Sequence, residues 1–214
     1  MARISVRCGL PPVDNRAAII FDLDGTLIDS APEIHAAANI TMASEGIAPL
    51  SAAQIRAFIG NGVGVLVARC LMAHGLPGSG DQHSRMVARF VAHYETQFSL
   101  TTLYPGVRDM LDAFATAHHP MAICTNKPAG PTRAVLTHFN LIHHFPVIIG
   151  GDTLPTRKPD PAPLRAAHQA ISTRHAIFVG DSEVMPKPPM PPPCPLRCLP
   201  AATVRAASLT LPRA

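Results

Sequence analysis

Two carboxylates two residues apart, Asp22 and Asp24, followed by Gly25 and Thr26, are the part of this 214-residue sequence best suited to chemistry. They follow the apolar run Ala18–Phe21, which has the length and composition of a buried strand. Strand side chains alternate, so both acids leave the strand on the same side, and Gly25 lets the chain turn away sharply. In an open α/β sheet, ligands bind outside the carboxyl ends of the strands. Paired acids there suit a hard cation such as Mg²⁺, which takes one or two carboxylates and fills its shell with substrate phosphate oxygens. An aspartate so placed can also attack phosphorus, splitting one difficult displacement into two easier ones. An ordinary turn is the competing reading of Asp-Leu-Asp-Gly taken alone. A calcium loop is excluded, because Leu27 stands where its glycine belongs and a strand stands where its helix should be.

Other strand ends carry polar groups too. Met121–Cys124 reads as a second buried strand ending in Thr125-Asn126, a hydroxyl and an amide that can hold phosphate oxygens without adding charge. A helix N-cap and turn explains the same dipeptide equally well. Pro146–Ile149 reads as a third strand, and Ala176–Val179 as a fourth that ends in Gly180-Asp181-Ser182. Between those two lies Arg157-Lys158-Pro159-Asp160-Pro161, whose Lys158 is the only lysine between Lys127 and Lys187.

The elements that must position these groups alternate strand and helix, with helices expected over Val107–Ala117, Ala129–Phe139 and Ala162–Ile171. The fold class is therefore α/β: a parallel sheet with right-handed crossovers. Such a sheet brings Asp22, Asp24, Thr125, Asn126 and Asp181 to one edge, with Lys158 nearby. Residues 31–100 lack strand patterns and read as four helices, Glu33–Glu45, Ala52–Ile59, Val63–His74 and His83–Phe98, with Ser51 and Asp81 as N-caps. This is a helical unit of about 70 residues inserted after the first strand, suited to act as a lid. The glycines of Ile59–Val65 lack nucleotide-loop spacing and follow a helix, so they read as a helix–helix turn. Residues 1–16, with Pro11-Pro12, read as an irregular leader.

Bulk properties exclude several classes. No apolar run approaches the roughly 18 residues of a membrane span, and the N-terminus has no signal-peptide core, which predicts a cytoplasmic protein with no membrane partner. Five scattered cysteines make no disulfide framework. The formal charge of +4 comes wholly from Lys187, Arg197, Arg205 and Arg213, beyond the last acid; the other 14 basic and 14 acidic residues balance. The globular part has no basic excess for nucleic acid. The Cys194/Cys198 pair lacks a second ligand pair for a metal. His118-His119 and His143-His144 fall near element ends, where solvated or capping roles are expected.

Residues 18–184 resemble the haloacid dehalogenase superfamily, mostly Mg²⁺-dependent phosphatases with an aspartate nucleophile. FDLDGTLIDS, CTNKP, the lysine of RKPDP, and GDSEV match its four motifs in order, which implies a Rossmann-like core with an inserted α-helical cap. IGNGV, LYPGV and FVGDSEV are similar to the bacterial phosphoglycolate phosphatases within it. The resemblance implies that Asp22 is the nucleophile and Asp24 the acid that protonates the leaving alkoxide and then deprotonates water. It implies that Thr125, the Asn126 amide and Lys158 hold the phosphoryl group. Mg²⁺ would be bound by Asp22, the Asp24 carbonyl and Asp181, and the substrate would be a small phosphorylated metabolite, 2-phosphoglycolate.

The pattern breaks after Val184. Residues 186–200 hold eight prolines where the family has an aspartate, an alanine-rich helix and an apolar strand. Interior prolines cost a helix about 3 kcal/mol each, so polyproline II or disorder is expected over 185–214. A natural Pro-rich linker is one reading of the break; the favoured one is a reading-frame shift near codon 184. Moved back by one base, the codons from Met185 can encode an acid, an alanine-rich helix and an apolar strand. Sequencing the DNA across codon 184 tests this hypothesis, and a continuous frame with no close in-frame relative contradicts it. On this reading Met185 replaces a supporting carboxylate and the fourth strand becomes a bare sheet edge. That predicts a poorly stable chain with weak activity, or a non-catalytic binder of phosphorylated metabolites. A weaker alternative is a Pro-rich ligand for aromatic grooves.

Overall fold

The computed structural model describes residues 16–94 and 97–181, together with the backbone of 196–200. Its centre is β1 (Ala18–Phe21), buried along its whole length. β1 pairs in parallel with β4 (Met121–Cys124) on one side and β6 (Ala176–Gly180) on the other. β5 (Val147–Ile149) extends the sheet beyond β4, and β7 (Leu196–Pro200) extends it beyond β6, giving the order β5-β4-β1-β6-β7.

Period-two alternation sorts the core. Ile19, Phe21, Met121 and Ile123 face one side, where Val107 and Leu111 of α5 (Val107–Thr116) and Val135 and Leu136 of α6 (Ala129–His138) cover them. Ala18, Ile20, Ala122 and Cys124 face the other side, under Leu164 and Ala167 of α7 (Ala162–Ile171). Burial on both faces explains why these strands read as unbroken apolar runs.

The lid is a separate helical unit of α1 (Ala31–Ala43), α2 (Ala52–Phe58), α3 (Val63–Met72) and α4 (Asp81–Tyr94). It has its own core, built on Met42, Ile55, Leu71, Met86 and Phe90. A short antiparallel ladder, β2 (Ile28–Asp29) with β3 (Thr102–Leu103), ties together the two crossings between core and lid. Buried Glu33 reinforces the junction by accepting the Leu100 N–H at 2.7 Å. No helix among the described residues is long and apolar enough to cross a membrane.

Ser51 caps α2 in a full capping box: its hydroxyl accepts the Gln54 N–H and the Gln54 side chain accepts the Ser51 N–H. Ser51→Ala is expected to lower stability by about 1 kcal/mol in chemical denaturation. Asp81, expected as the cap of the last lid helix, is instead the first residue of α4. His144, expected to be solvated or capping, is buried and faces Asp112 at 3.2 Å.

The largest correction concerns the C-terminus. Proline content across 186–200 suggested no ordered strand, yet Leu196–Pro200 pairs with the whole of β6, Leu196 opposite Ala176 and Pro200 opposite Gly180. The prolines cluster before position 196, and Leu196–Leu199 is free of them, so each residue there can give its N–H to a ladder. β6 is therefore not a bare edge. The leader at 1–15, Met185, and the rest of the Pro-rich tail lie outside the described residues.

Candidate active site

The carboxyl ends of β1, β4 and β6 converge under the lid on a cavity of about 170 Å³, lined by Asp22, Asp24, Thr125, Asn126, Lys127 and Asp181 among others. Asp22 follows β1 directly. Its Oδ1 accepts the Leu23 N–H at 2.8 Å and its Oδ2 faces Lys158 Nζ at 2.7 Å. Both side chains of this pair are nearly buried, and the ammonium also lies over the Phe178 ring at 5.0 Å. The carboxylate is thus held in one orientation by a charge-assisted contact on one oxygen and a backbone N–H on the other.

The turn after β1 is built on the Leu23 carbonyl, which accepts the Thr26, Leu27 and Ile28 N–H groups, while Gly25 N–H reaches the Ile28 carbonyl. None of these bonds ends on the Asp24 carbonyl. Asp24 Oδ1 accepts the Ser30 hydroxyl at 2.5 Å and faces Lys127 Nζ at 3.4 Å, and Oδ2 lies outside both contacts. Gly25 has φ +79°, and a Cβ there would overlap the Asp181 carboxylate. Gly25→Ala is therefore expected to cost about 1–3 kcal/mol. By displacing Asp181 it should also lower activity by about 10²-fold. Paired denaturation and phosphate-release measurements check both.

Asp181 completes a group of three acids. Burial raises its pKa, the Asp22 charge raises it further, and Asp24 adds to both against the opposing pull of Lys158. Carboxylates crowded in this way call for a cation. The described residues contain no cage of three or more His, Cys, Asp or Glu side chains. The donors on offer, two carboxylates and a backbone carbonyl, are hard oxygens that leave most of a shell to water and substrate. That set fits Mg²⁺ and fits neither Zn²⁺ nor a full Ca²⁺ cage.

Thr125 is buried, and its hydroxyl accepts the Lys127 N–H at 3.2 Å, leaving its own proton to donate. The Asn126 side chain is otherwise engaged: its amide donates to the Gly60 carbonyl at 2.9 Å and the Lys158 carbonyl at 3.0 Å. It ties the lid turn and the Lys158 loop to β4, so the donor it retains for an oxyanion is its backbone N–H. Close approach at this point also requires Gly151, where a Cβ would overlap the Asn126 carbonyl. Cys124, next to the site, is no nucleophile, since burial pushes its thiol up to about 12.

Sequence reasoning assigned no role to Lys127, Tyr94, Ser30 or Arg56. Lys127 is buried with its ammonium against Asp24, the Tyr94 hydroxyl and the Tyr94 ring, 4.0 Å from the centroid. Burial lowers its pKa and Asp24 opposes that shift. Tyr94 comes from α4 of the lid, as Arg56 does from α2, and Arg56 pairs with Asp29 at 3.4 Å. The position of Lys127 directly after Thr125-Asn126 was the one available signal. Nothing in a helical pattern marks which exposed lid residue faces the core.

Comparison with known proteins agrees with this geometry. Residues 19–184 match the family model described as haloacid dehalogenase-like hydrolase. The chain is similar to a phosphoglycolate phosphatase of Cereibacter sphaeroides, 49% identical over 167 residues, which is 78% of this chain and 77% of that protein. The phosphoglycolate phosphatase of Rhodobacter capsulatus is 45% identical over 167 residues, 78% of this chain and 76% of that protein. Among solved structures, a predicted phosphoglycolate phosphatase from Haemophilus somnus superposes with a TM-score of 0.74 at 29% identity, covering 81% of this chain and 80% of that one. With its motifs in order on a parallel sheet and its acids gathered under a helical lid, the chain belongs to the haloacid dehalogenase-like hydrolases.

Proposed function

We propose that this chain is a Mg²⁺-dependent phosphatase that hydrolyses 2-phosphoglycolate to glycolate and phosphate through an aspartyl-phosphate on Asp22. One observation carries the reading: Asp22 is oriented by Lys158 at the floor of a small lidded cavity, with a separately anchored Asp24 lining the same cavity. The relatives named phosphoglycolate phosphatase support the substrate.

In the first step an Asp22 oxygen forms a bond to phosphorus as the ester P–O bond breaks, and Asp24 gives its proton to the departing glycolate oxygen. In the second, Asp24 takes a proton from water, whose oxygen bonds to phosphorus as the P–O bond to Asp22 breaks. Phosphate leaves and both acids return to their starting states. Lys158, the Thr125 hydroxyl and the Asn126 backbone N–H offset charge on the phosphoryl oxygens. Asp22, the Asp24 carbonyl and Asp181 would hold Mg²⁺, whose charge offsets the repulsion between an anionic nucleophile and an anionic substrate. The lid excludes water until the phosphoryl group is on Asp22.

The test is phosphate release from 2-phosphoglycolate and a panel of other small phosphate esters, with Mg²⁺ and with a chelator. Release from 2-phosphoglycolate that stops on chelation is expected. Binding of these esters by folded protein without turnover would replace this reading with a non-catalytic one.

A further inference from the structure

We propose that Lys127 reads the carboxylate of the substrate's alcohol portion, with the Tyr94 hydroxyl completing that subsite from the lid. This rests on the reading above, since it takes Asp24 as the group that protonates the leaving oxygen. In a phosphate ester of a 2-hydroxy acid, a single carbon separates the leaving oxygen from the carboxylate. Any group that reads the carboxylate must therefore lie beside Asp24 in the same cavity.

Lys127 meets that condition. Its Nζ is 3.4 Å from Asp24 Oδ1, and it lines the cavity with Asp22 and Asp24. The residue is 7% exposed, so the ammonium cannot swing away to solvent. Of its three N–H donors, Asp24 and the Tyr94 hydroxyl engage two, which leaves one for a ligand. The cavity's other basic side chain does not meet the condition. Arg56 pairs with Asp29 rather than Asp24, and its side chain is 59% exposed, where water weakens any contact it makes. Lys158 sits on Asp22 rather than beside Asp24, at 2.7 Å, where the reading above commits it to the phosphoryl oxygens.

A buried ammonium discriminates sharply between an ester with a carboxylate and one of the same size without it. The neutral ester leaves the third donor of Lys127 without an anion. Because Lys127 belongs to the core and Tyr94 to the lid, the subsite is complete only with the lid seated. Selection for the carboxylate and closure over the reacting phosphorus become one event.

Binding to the Asp22→Asn chain, which cannot turn substrate over, tests the proposal by titration calorimetry in Mg²⁺ buffer with 2-phosphoglycolate and ethyl phosphate. The parent is expected to prefer 2-phosphoglycolate by about 10- to 100-fold. Adding Lys127→Met should abolish most of that preference, and Lys127→Arg should retain part of it. Should Lys127→Met fail to fold, Tyr94→Phe carries the test, with an expected fall in preference of about threefold or more. A preference unchanged in these variants, or both ligands weakened equally, overturns the proposal. A parent that binds both esters alike also overturns it and leaves the phosphatase reading standing. A parent that binds neither ester brings down both.

Discussion

Asp22→Asn is expected to lower kcat for 2-phosphoglycolate by at least about 10⁴-fold while the protein stays folded. The amide keeps an acceptor for the Leu23 N–H and nearly the same shape, but it gives up the charge that pairs with Lys158, which lowers stability, and it cannot bond to phosphorus. The effect should be confined to kcat and kcat/KM, since the phosphoryl contacts proposed for Thr125, Asn126 and Lys158 remain. Steady-state phosphate release, beside a thermal melt of both proteins, measures it. A residual rate within tenfold of the parent would remove Asp22 from the chemistry.

Lys158→Met is the second large effect, and it acts on stability and rate together. It leaves the Asp22 carboxylate buried without its cation, which costs about 3–5 kcal/mol when one partner of a buried pair is removed. On the proposed mechanism the nucleophile also loses its orientation and the phosphoryl group a cationic contact, so kcat should fall by about 10²–10³-fold. The double variant Lys158→Met/Asp22→Asn tests the cause. Removing the orphaned charge should recover part of the lost stability, so the two changes should be far from additive in urea denaturation. Additive losses would mean that the 2.7 Å contact contributes little and that Lys158 acts through packing on Phe178.

Much of this site was legible because its residues follow buried strands. Ala18–Phe21 and Met121–Cys124 begin and end where their apolar runs do, and a parallel sheet leaves the next residues nowhere to go but its carboxyl edge. Asp22, Asp24, Thr125, Asn126 and Asp181 could therefore be placed together, and all of them line the one cavity. Lys158 sits on a loop, where spacing alone gave only proximity, and its pairing with Asp22 came from the fold.

What escaped had other causes. The Asn126 side chain bonds two carbonyls from segments 66 and 32 residues away, a partnership no local pattern encodes. Tyr94 and Arg56 depend on how the lid docks, which the amphipathic patterns of α2 and α4 leave open. Over the C-terminus, proline content averaged across the segment masked a proline-free stretch able to join the sheet beside β6. The similarity to the family ends at Val184, the position from which the chain's composition changes.

The central claim is that the phosphoryl group passes through Asp22. Quenching the turning-over protein with borohydride tests it most directly, because hydride reduces an aspartyl-phosphate to homoserine while leaving free carboxylates intact. Peptide mass analysis should find homoserine at position 22 only when Mg²⁺ and 2-phosphoglycolate were both present. Phosphate released at a steady rate with Asp22 unmodified, or with homoserine at Asp24 or Asp181 instead, would contradict the account.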